Sequence, residues 1–507
     1  MSAVILTGFG SNDPVPGNYV EVKFAEGPGS LGEGTYPVLF LGNMLSTGSA
    51  TPDTVVYGPL SSPALSTEGD AITLFGAGSE LHRQIREFLK VNTVTPFYAV
   101  AVTESAGTAA TISQVISNTA TGDGTYRFYC GDEFIDTPIS NGQAPGSLAT
   151  AVVANIKSQT HWPVTAAVAS TVNVVVTAKQ KGLRGNWLRV GAQIFGTVST
   201  AATNTAQQFL SAGTPGATAD SNTAALATIS DTRYYYICSA AEDATQFGAL
   251  VTQVGTMSLP TNGMRQRAIT ASVDSLGNAT TVATGINNPR AEIGWLAQGD
   301  QEPPVLAAKL VGVYTLEELP FPFRTNFSGY GNDTATSLIW KMAAPRSGAA
   351  PTRPNIMAAI LGGLTPIGVT RQRTTYIVRR VTTKTSTSSV ADYRIRDAHK
   401  VTICDRYADE LVNKLTLNYS GKKIANDPPS GARVPGADVV TPRVMKAAVD
   451  QLTRDFANVD LLEDPEGIIR NTLVQRETSP NTRMGIRVGL KPISNLEQTA
   501  SELDQIA

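Results

Sequence analysis

The sequence predicts an α/β and α+β multidomain protein: an α/β core interrupted by a mainly β insert, then an α+β C-terminal domain. Three observations predict it. The chain has 507 residues, more than one hydrophobic core usually serves. Strand–helix–strand texture stops near residue 104 and resumes near 226, with a Ser/Thr/Ala/Gly-rich, charge-poor stretch between. Charged residues become frequent again from about residue 355. The expected division is an arm over 1–22, a discontinuous core over 23–104 and 226–354, an insert over 105–225 and a C-terminal domain over 355–507.

Along the chain, Ala3, Val4, Ile5 and Leu6 form a short β-prone run followed by Gly, Asn and Pro breakers, the pattern of a terminal arm. Residues 36–42 and 96–102 are continuous apolar runs of buried-strand length. Between them Ser79 is placed to cap a helix with Leu81, Ile85, Phe88 and Leu89 on one face. That order is a crossover unit, which predicts a parallel sheet. In the insert, 126–129 and 172–176 alternate as strands, and Leu148, Val152, Val153 and Ile156 mark a helix. The core returns with a strand at 234–238, a helix over 240–255 and a strand at 267–271. Towards the C-terminus, Cys404, Ala408, Leu411 and Leu415 form one helical stripe. A second helix opens with Thr441 and Pro442 and turns Met445, Ala448, Val449, Leu452 and Phe456 inward. Residues 473–476 and 484–488 read as paired strands.

Composition limits the function. A net charge of −2 argues against nucleic acid, which demands a basic face. A charged fraction of 16% suits a subunit that buries much of its exterior against neighbours. Cys130, Cys238 and Cys404 lack metal-ligand spacing and are too few for a disulfide framework. The first twenty residues lack a basic segment followed by an apolar one, so no signal peptide is expected, and no run reaches membrane-spanning length.

Catalytic constellations are missing as well. His82, His161 and His399 are the only histidines, and each reads as a surface or packing residue. Gly27, Gly29 and Gly32 satisfy G-x-G-x-x-G but precede a strand instead of following one, so no helix N-terminus can take a pyrophosphate. A nucleophile elbow is absent. No enzyme activity, cofactor or metal is expected.

Several segments, in order, resemble the Mu-like contractile-tail sheath family. In the insert these are GTYRFY at 124–129, HWPVTA at 161–166, TAKQKGLRGN at 177–186 and GTPGA at 213–217, with DTRYYYI at 231–237 leading back to the core. The C-terminal third adds YIVRRVTT at 376–383, KKIAND at 422–427, VTPR at 440–443, TLVQRE at 472–477 and PNTR at 480–483. The chain departs from the family at its end, where 497–507 are polar and members carry an apolar strand. That departure leaves the N-terminal run as the surer exchanged arm.

The resemblance implies a core similar to subtilisin-like folds but without catalytic residues. It also implies a structural role: six-fold rings stacked around an inner tube, which shorten on triggering and drive the tube through the host envelope. Partners implied are further copies of the chain, the tail tube protein, and baseplate and tail terminator proteins. The implied place is the virion tail, after assembly in the host cytoplasm. Ala3, Val4, Ile5 and Leu6 are the candidate inter-subunit arm. Arg371, Arg379, Arg380, Arg394 and Arg396 are candidate interface charges. A subtilisin-like hydrolase and another tail or baseplate protein are the competing readings.

Overall fold

The computed structural model describes residues 37–56, 64–196, 201–203, 205–239, 243–259, 262–318, 342, 344–346, 350–429, 436, 438–477 and 483–494. Ala3 to Leu6, the glycine loop and the polar tail lie outside the described residues.

The core is an eight-stranded sheet. Its strands are β1 (Val38–Asn43), β2 (Val55–Val56), β3 (Phe97–Val102), β12 (Tyr236–Ser239), β13 (Arg267–Ser272), β14 (Ala291–Trp295), β15 (Thr365–Val369) and β16 (Thr375–Ile377). They lie in the order β16-β15-β14-β13-β12-β1-β3-β2. The six inner strands are parallel and both edge strands antiparallel. Parallel strands are buried on both faces, which explains the unbroken apolar runs.

One face carries α1 (Glu68–Phe75), α2 (Glu80–Leu89) and α7 (Pro303–Glu318), packed through Leu81, Ile85, Phe88, Leu306, Leu310 and Tyr314. Phe40, Phe88 and Phe97 meet edge to face at 5.2–6.1 Å between ring centres. Each such side chain contributes about 1.5–3 kcal/mol by burial. The other face carries α4 (Thr223–Thr228), α5 (Ala244–Met257) and α6 (Leu276–Ile286), packed through Leu226, Phe247, Leu250, Val254 and Ala283. The sheet runs past residue 354, where a boundary was expected, because Ile367 and Ile377 complete the same apolar cluster as Phe40.

The insert contains two four-stranded sheets. One has the order β10-β4-β8-β7 (Ala201–Ala202, Thr111–Ser117, Asn173–Ala178, Val164–Ser170). The other has the order β11-β9-β5-β6 (Gln208–Phe209, Arg189–Gly196, Gly124–Cys130, Glu133–Ile139). Helix α3 (Pro145–Ser158) packs against strands of both. Its buried Leu148, Val152, Val153 and Ile156 join Tyr126, Phe128, Trp162, Val174 and Val176 in a cluster separate from the core.

The C-terminal region is thinner. The helices Ala398–Tyr419, Pro442–Asn458 and Pro465–Asn471 share a small cluster around Tyr407, Leu452, Phe456 and Ile468. Strands β21 (Leu473–Arg476) and β22 (Met484–Arg487) pair antiparallel as a two-stranded sheet.

Candidate functional site

In a doubly wound sheet the ligand crevice opens beyond the carboxyl ends of the strands at which the winding direction reverses. Here that point lies between β1, which leads through α2 to β3 on one side, and β12, which leads to β13 and β14 on the other. The crevice is filled by the protein itself. Ser79 caps α2 by accepting from the His82 amide at 3.1 Å, which puts Glu80 in the first turn. Exposed amides there favour a carboxylate. Gly42 gives α2 room: a Cβ on it would sit 2.9 Å from Gln84 Oε1 and 3.2 Å from Glu80 Oε2. The insert's 3-10 turn Gly182–Trp187 then sends Arg184 into the crevice, where it pairs with Glu80 and with Asp220. Asn43 closes the cluster, donating from its backbone to Glu80 (2.9 Å) and from Nδ2 to Asp220 (2.8 Å).

One guanidinium thus faces two buried carboxylates. Burial pushes Glu80 up to about 7. Burial also acts on Asp220, but Arg184 and the bonds from Ser105 and Asn43 hold it below the ordinary carboxylate range. A second junction lies beside it. Arg86 of α2 donates to Glu133 of β6 at 2.8 Å, and the same carboxylate takes His161 and Trp162 at 2.6 Å each. Against its burial, those three groups bring Glu133 down to about 2.

These groups fasten parts together. His82, which read as a surface or packing residue, is fully buried. Its Nδ1 accepts from the Gly78 amide at 3.0 Å and its Nε2 faces Glu68 at 3.3 Å. Burial lowers its pKa to about 4, and the amide bond demands an unprotonated Nδ1. Cys130 and Cys238 are buried thiols pushed far up by burial. Among the described residues no cluster of three or more His, Cys, Asp or Glu could hold a metal, and no helix is long and apolar enough to cross a membrane.

The candidate charges scatter over different environments. Arg380 is 4% exposed and does not present an interface. Its Nε donates to Glu292 Oε2 at 2.9 Å, its Nη2 to the Tyr236 hydroxyl at 3.1 Å, and its guanidinium lies 3.6 Å from the Tyr314 ring centre. Arg379 is half-buried and bonded to Asp397 through Nε (2.8 Å) and Nη2 (2.6 Å). Arg396 is half-buried, 5.4 Å from the Tyr393 ring centre. Arg394 is exposed and forked onto Asp392 at 2.7–2.9 Å, and Arg371 is exposed.

The sequence reading missed the charges that dock the helix Ala398–Tyr419. Asp405 takes a bidentate bond from Arg290 at 2.8 Å on both oxygens. Asp409, one turn on, takes Arg233 and Arg265 at 2.6 Å each, and Thr402 takes Arg267 at 3.0 Å. The available signal was the spacing of Thr402, Asp405 and Asp409 on one helical side. Strands β21 and β22 lie where expected, half-exposed, and pair with no third strand among the described residues.

A fastened crevice, separate apolar cores and polar junctions thus characterise the described residues. The particular likeness is to tail sheath proteins. Over 176 residues the chain is 30% identical to the Mu-like prophage FluMu tail sheath protein of Haemophilus influenzae, 34% of this chain and 34% of that protein. The match therefore spans about a third of the curated relative's length. It is the family that the residues resemble in sequence. No family model matches the chain. Among solved structures, a sheath tail protein of Desulfitobacterium hafniense overlays with a TM-score of 0.48 at 13% identity, covering 95% of this chain and 98% of that one. A sheath tail protein of Listeria innocua gives 0.47 at 13% identity, covering 91% and 92%.

Proposed function

We propose that this chain is a structural subunit of a contractile phage tail sheath. In this reading it polymerises as stacked six-fold rings around a tail tube and contracts to drive the tube through the host envelope. The observation that carries the reading is the 30% identity over 176 residues to a tail sheath protein. In this reading the α/β half is the subtilisin-like, catalytically silent core that the resemblance implies. Partners are other copies, the tube protein, and baseplate and terminator proteins. The work comes from two packings of one chain that differ by a few kcal/mol per subunit, so no nucleotide site is needed.

Subunits must stay joined while their contacts rearrange. A two-stranded sheet alone is marginal in water, and its open edges can receive a further strand. Strands β21 and β22 offer such edges, and the run Ala3 to Leu6 of another copy is the strand assigned to them. Arg371 and Arg394, both exposed, remain the candidate contact charges between copies. Negative-stain microscopy of the purified chain tests the reading. Rings or wide hollow tubes are expected, and deleting residues 1–12 should abolish them while leaving the circular dichroism spectrum intact. A monodisperse monomer at high concentration would refute the sheath reading, whereas tubes from the deleted chain would refute only the arm.

A further inference from the structure

The insert meets the core almost entirely through polar groups. Arg184 reaches Glu80, Arg86 reaches Glu133, Gln301 donates to Asp132 at 2.7 Å, and Lys179 donates to the Ala77 carbonyl at 3.3 Å. Of the insert's described side chains, only Trp187 and Phe209 pack on the core's apolar cluster around Phe40. Interfaces of that kind between domains permit relative motion, because little apolar area is lost when they part.

Within this junction one cluster is electrically unbalanced. Glu80 and Asp220 are both nearly fully buried and share the guanidinium of Arg184. With both carboxylates ionised the cluster holds a net negative charge away from water. With one proton added it is neutral. The neighbouring charges among the described residues do not remove the imbalance. Arg83, on Glu80's own helix, is forked onto Glu302, which itself repels Glu80. Cys238 of β12 is a neutral thiol, and Asp243 and Asp274 across the adjoining cleft are further acids.

We infer that the Glu80–Arg184–Asp220 cluster is a proton-gated latch between insert and core, closed while it holds one proton and loosened when that proton leaves. The latch spans three separated segments: the N-terminus of α2, the turn Gly182–Trp187, and the return segment through Asp220. Asp220 also takes the amide of Ser105, on the outgoing connection, so both crossings between the units are tied to this one cluster. The inference rests on the junction geometry and holds whatever assembly the chain forms.

The sign follows from linkage. Burial raises the closed-state pKa of Glu80 to about 7 from an ordinary 4.5. Closure is therefore complete below the ordinary value and weakens as pH rises towards 7, by up to about tenfold per pH unit, then levels off. Global melting would obscure this. His82, whose pKa burial lowers to about 4, stabilises the fold with the opposite sign over an overlapping range, lost as pH falls below its ordinary 6.5.

The test is hydrogen exchange of residues 103–109 and 182–187 in the full chain at pH 5–8, corrected for intrinsic rates. The expected result is a rise in opening of about tenfold per unit up to pH 7 and a plateau above it. Glu80→Gln should remove the rise. Should that variant fail to fold, Asp220→Asn decides: it leaves one acid on Arg184, so the rise should leave this pH range. A flat wild-type profile, a rise that persists in Glu80→Gln, or an unchanged profile in Asp220→Asn would each overturn the latch.

Discussion

Arg380 and Arg379 are neighbours in an arginine-rich run, yet one is buried and the other half-exposed. Glu292 explains the difference. It is fully buried on β14 and takes Arg380, the Tyr314 hydroxyl at 2.6 Å and Thr365 at 3.2 Å, while the equally buried Arg267 stands farther off at 3.5 Å, so Arg380 is its nearer cation. Replacing Arg380 by Met preserves bulk and leaves the carboxylate with only the more distant Arg267, which costs on the order of 3 kcal/mol. Urea unfolding of Arg380→Met should show that loss, and Arg380→Lys, which keeps a cation beside Glu292, should show a clearly smaller one. Equal losses in Arg380→Met and Arg380→Lys would show that the charge pair is not the cause. The burial of Arg380 was not legible in the sequence. Charged residues are rarely buried unless paired, and its partner lies 88 positions upstream, brought close only by the alignment of β14 with β15.

At the scale of elements, strong local signals carried through and one-sided ones did not. The apolar runs at 36–42 and 96–102 became β1 and β3, and Ser79 caps α2 as its position implied. The stripe through Met445, Val449, Leu452 and Phe456 is buried, although Thr441 makes no side-chain cap bond. The helix Ala398–Tyr419 differs. Periodicity marks Cys404, Ala408, Leu411 and Leu415, but all four are only half-buried, and the buried set holds Val401, Thr402, Ile403, Asp405, Arg406 and Tyr407 instead. One side packs on Phe456 through Tyr407, and another is held to the core by ion pairs that a hydrophobic pattern does not register. The joint effect of those pairs is testable. Asp405→Asn with Asp409→Asn weakens three charge-assisted contacts, at about 1–3 kcal/mol each. Calorimetry should then show the C-terminal helices melting in a separate, earlier transition, with the α/β sheet unaffected. A single transition at the wild-type temperature would mean the ion pairs do not hold this region.

For the whole molecule, the abrupt loss of charged residues after about residue 104 reflects a second core with its own rules. The insert leaves and rejoins the sheet at one place. Thr111 and Thr214 exchange backbone bonds at 2.9 and 2.8 Å, and the Ala217 amide donates to the Thr108 carbonyl at 3.2 Å. Its ends are thus already side by side, and cutting them away from the core removes little chain-closure constraint. Its apolar cluster, from Ala110 to Leu210, contains no residue of the main sheet. The polar ties across the junction are the kind that water can replace at small cost once both partners are solvated. A fragment of residues 105–219 should therefore fold alone, with strand-rich circular dichroism and one cooperative thermal transition. Among the described residues, Trp187 and Phe209 are the ones that lose apolar neighbours in the cut, so Trp187→Ser with Phe209→Ser should raise the fragment's solubility without lowering its midpoint by more than about 1 kcal/mol equivalent. A fragment that stays unfolded would mean that the core, and not the insert's own cluster, supplies its stability, and a hinge between two rigid units would then have no physical basis.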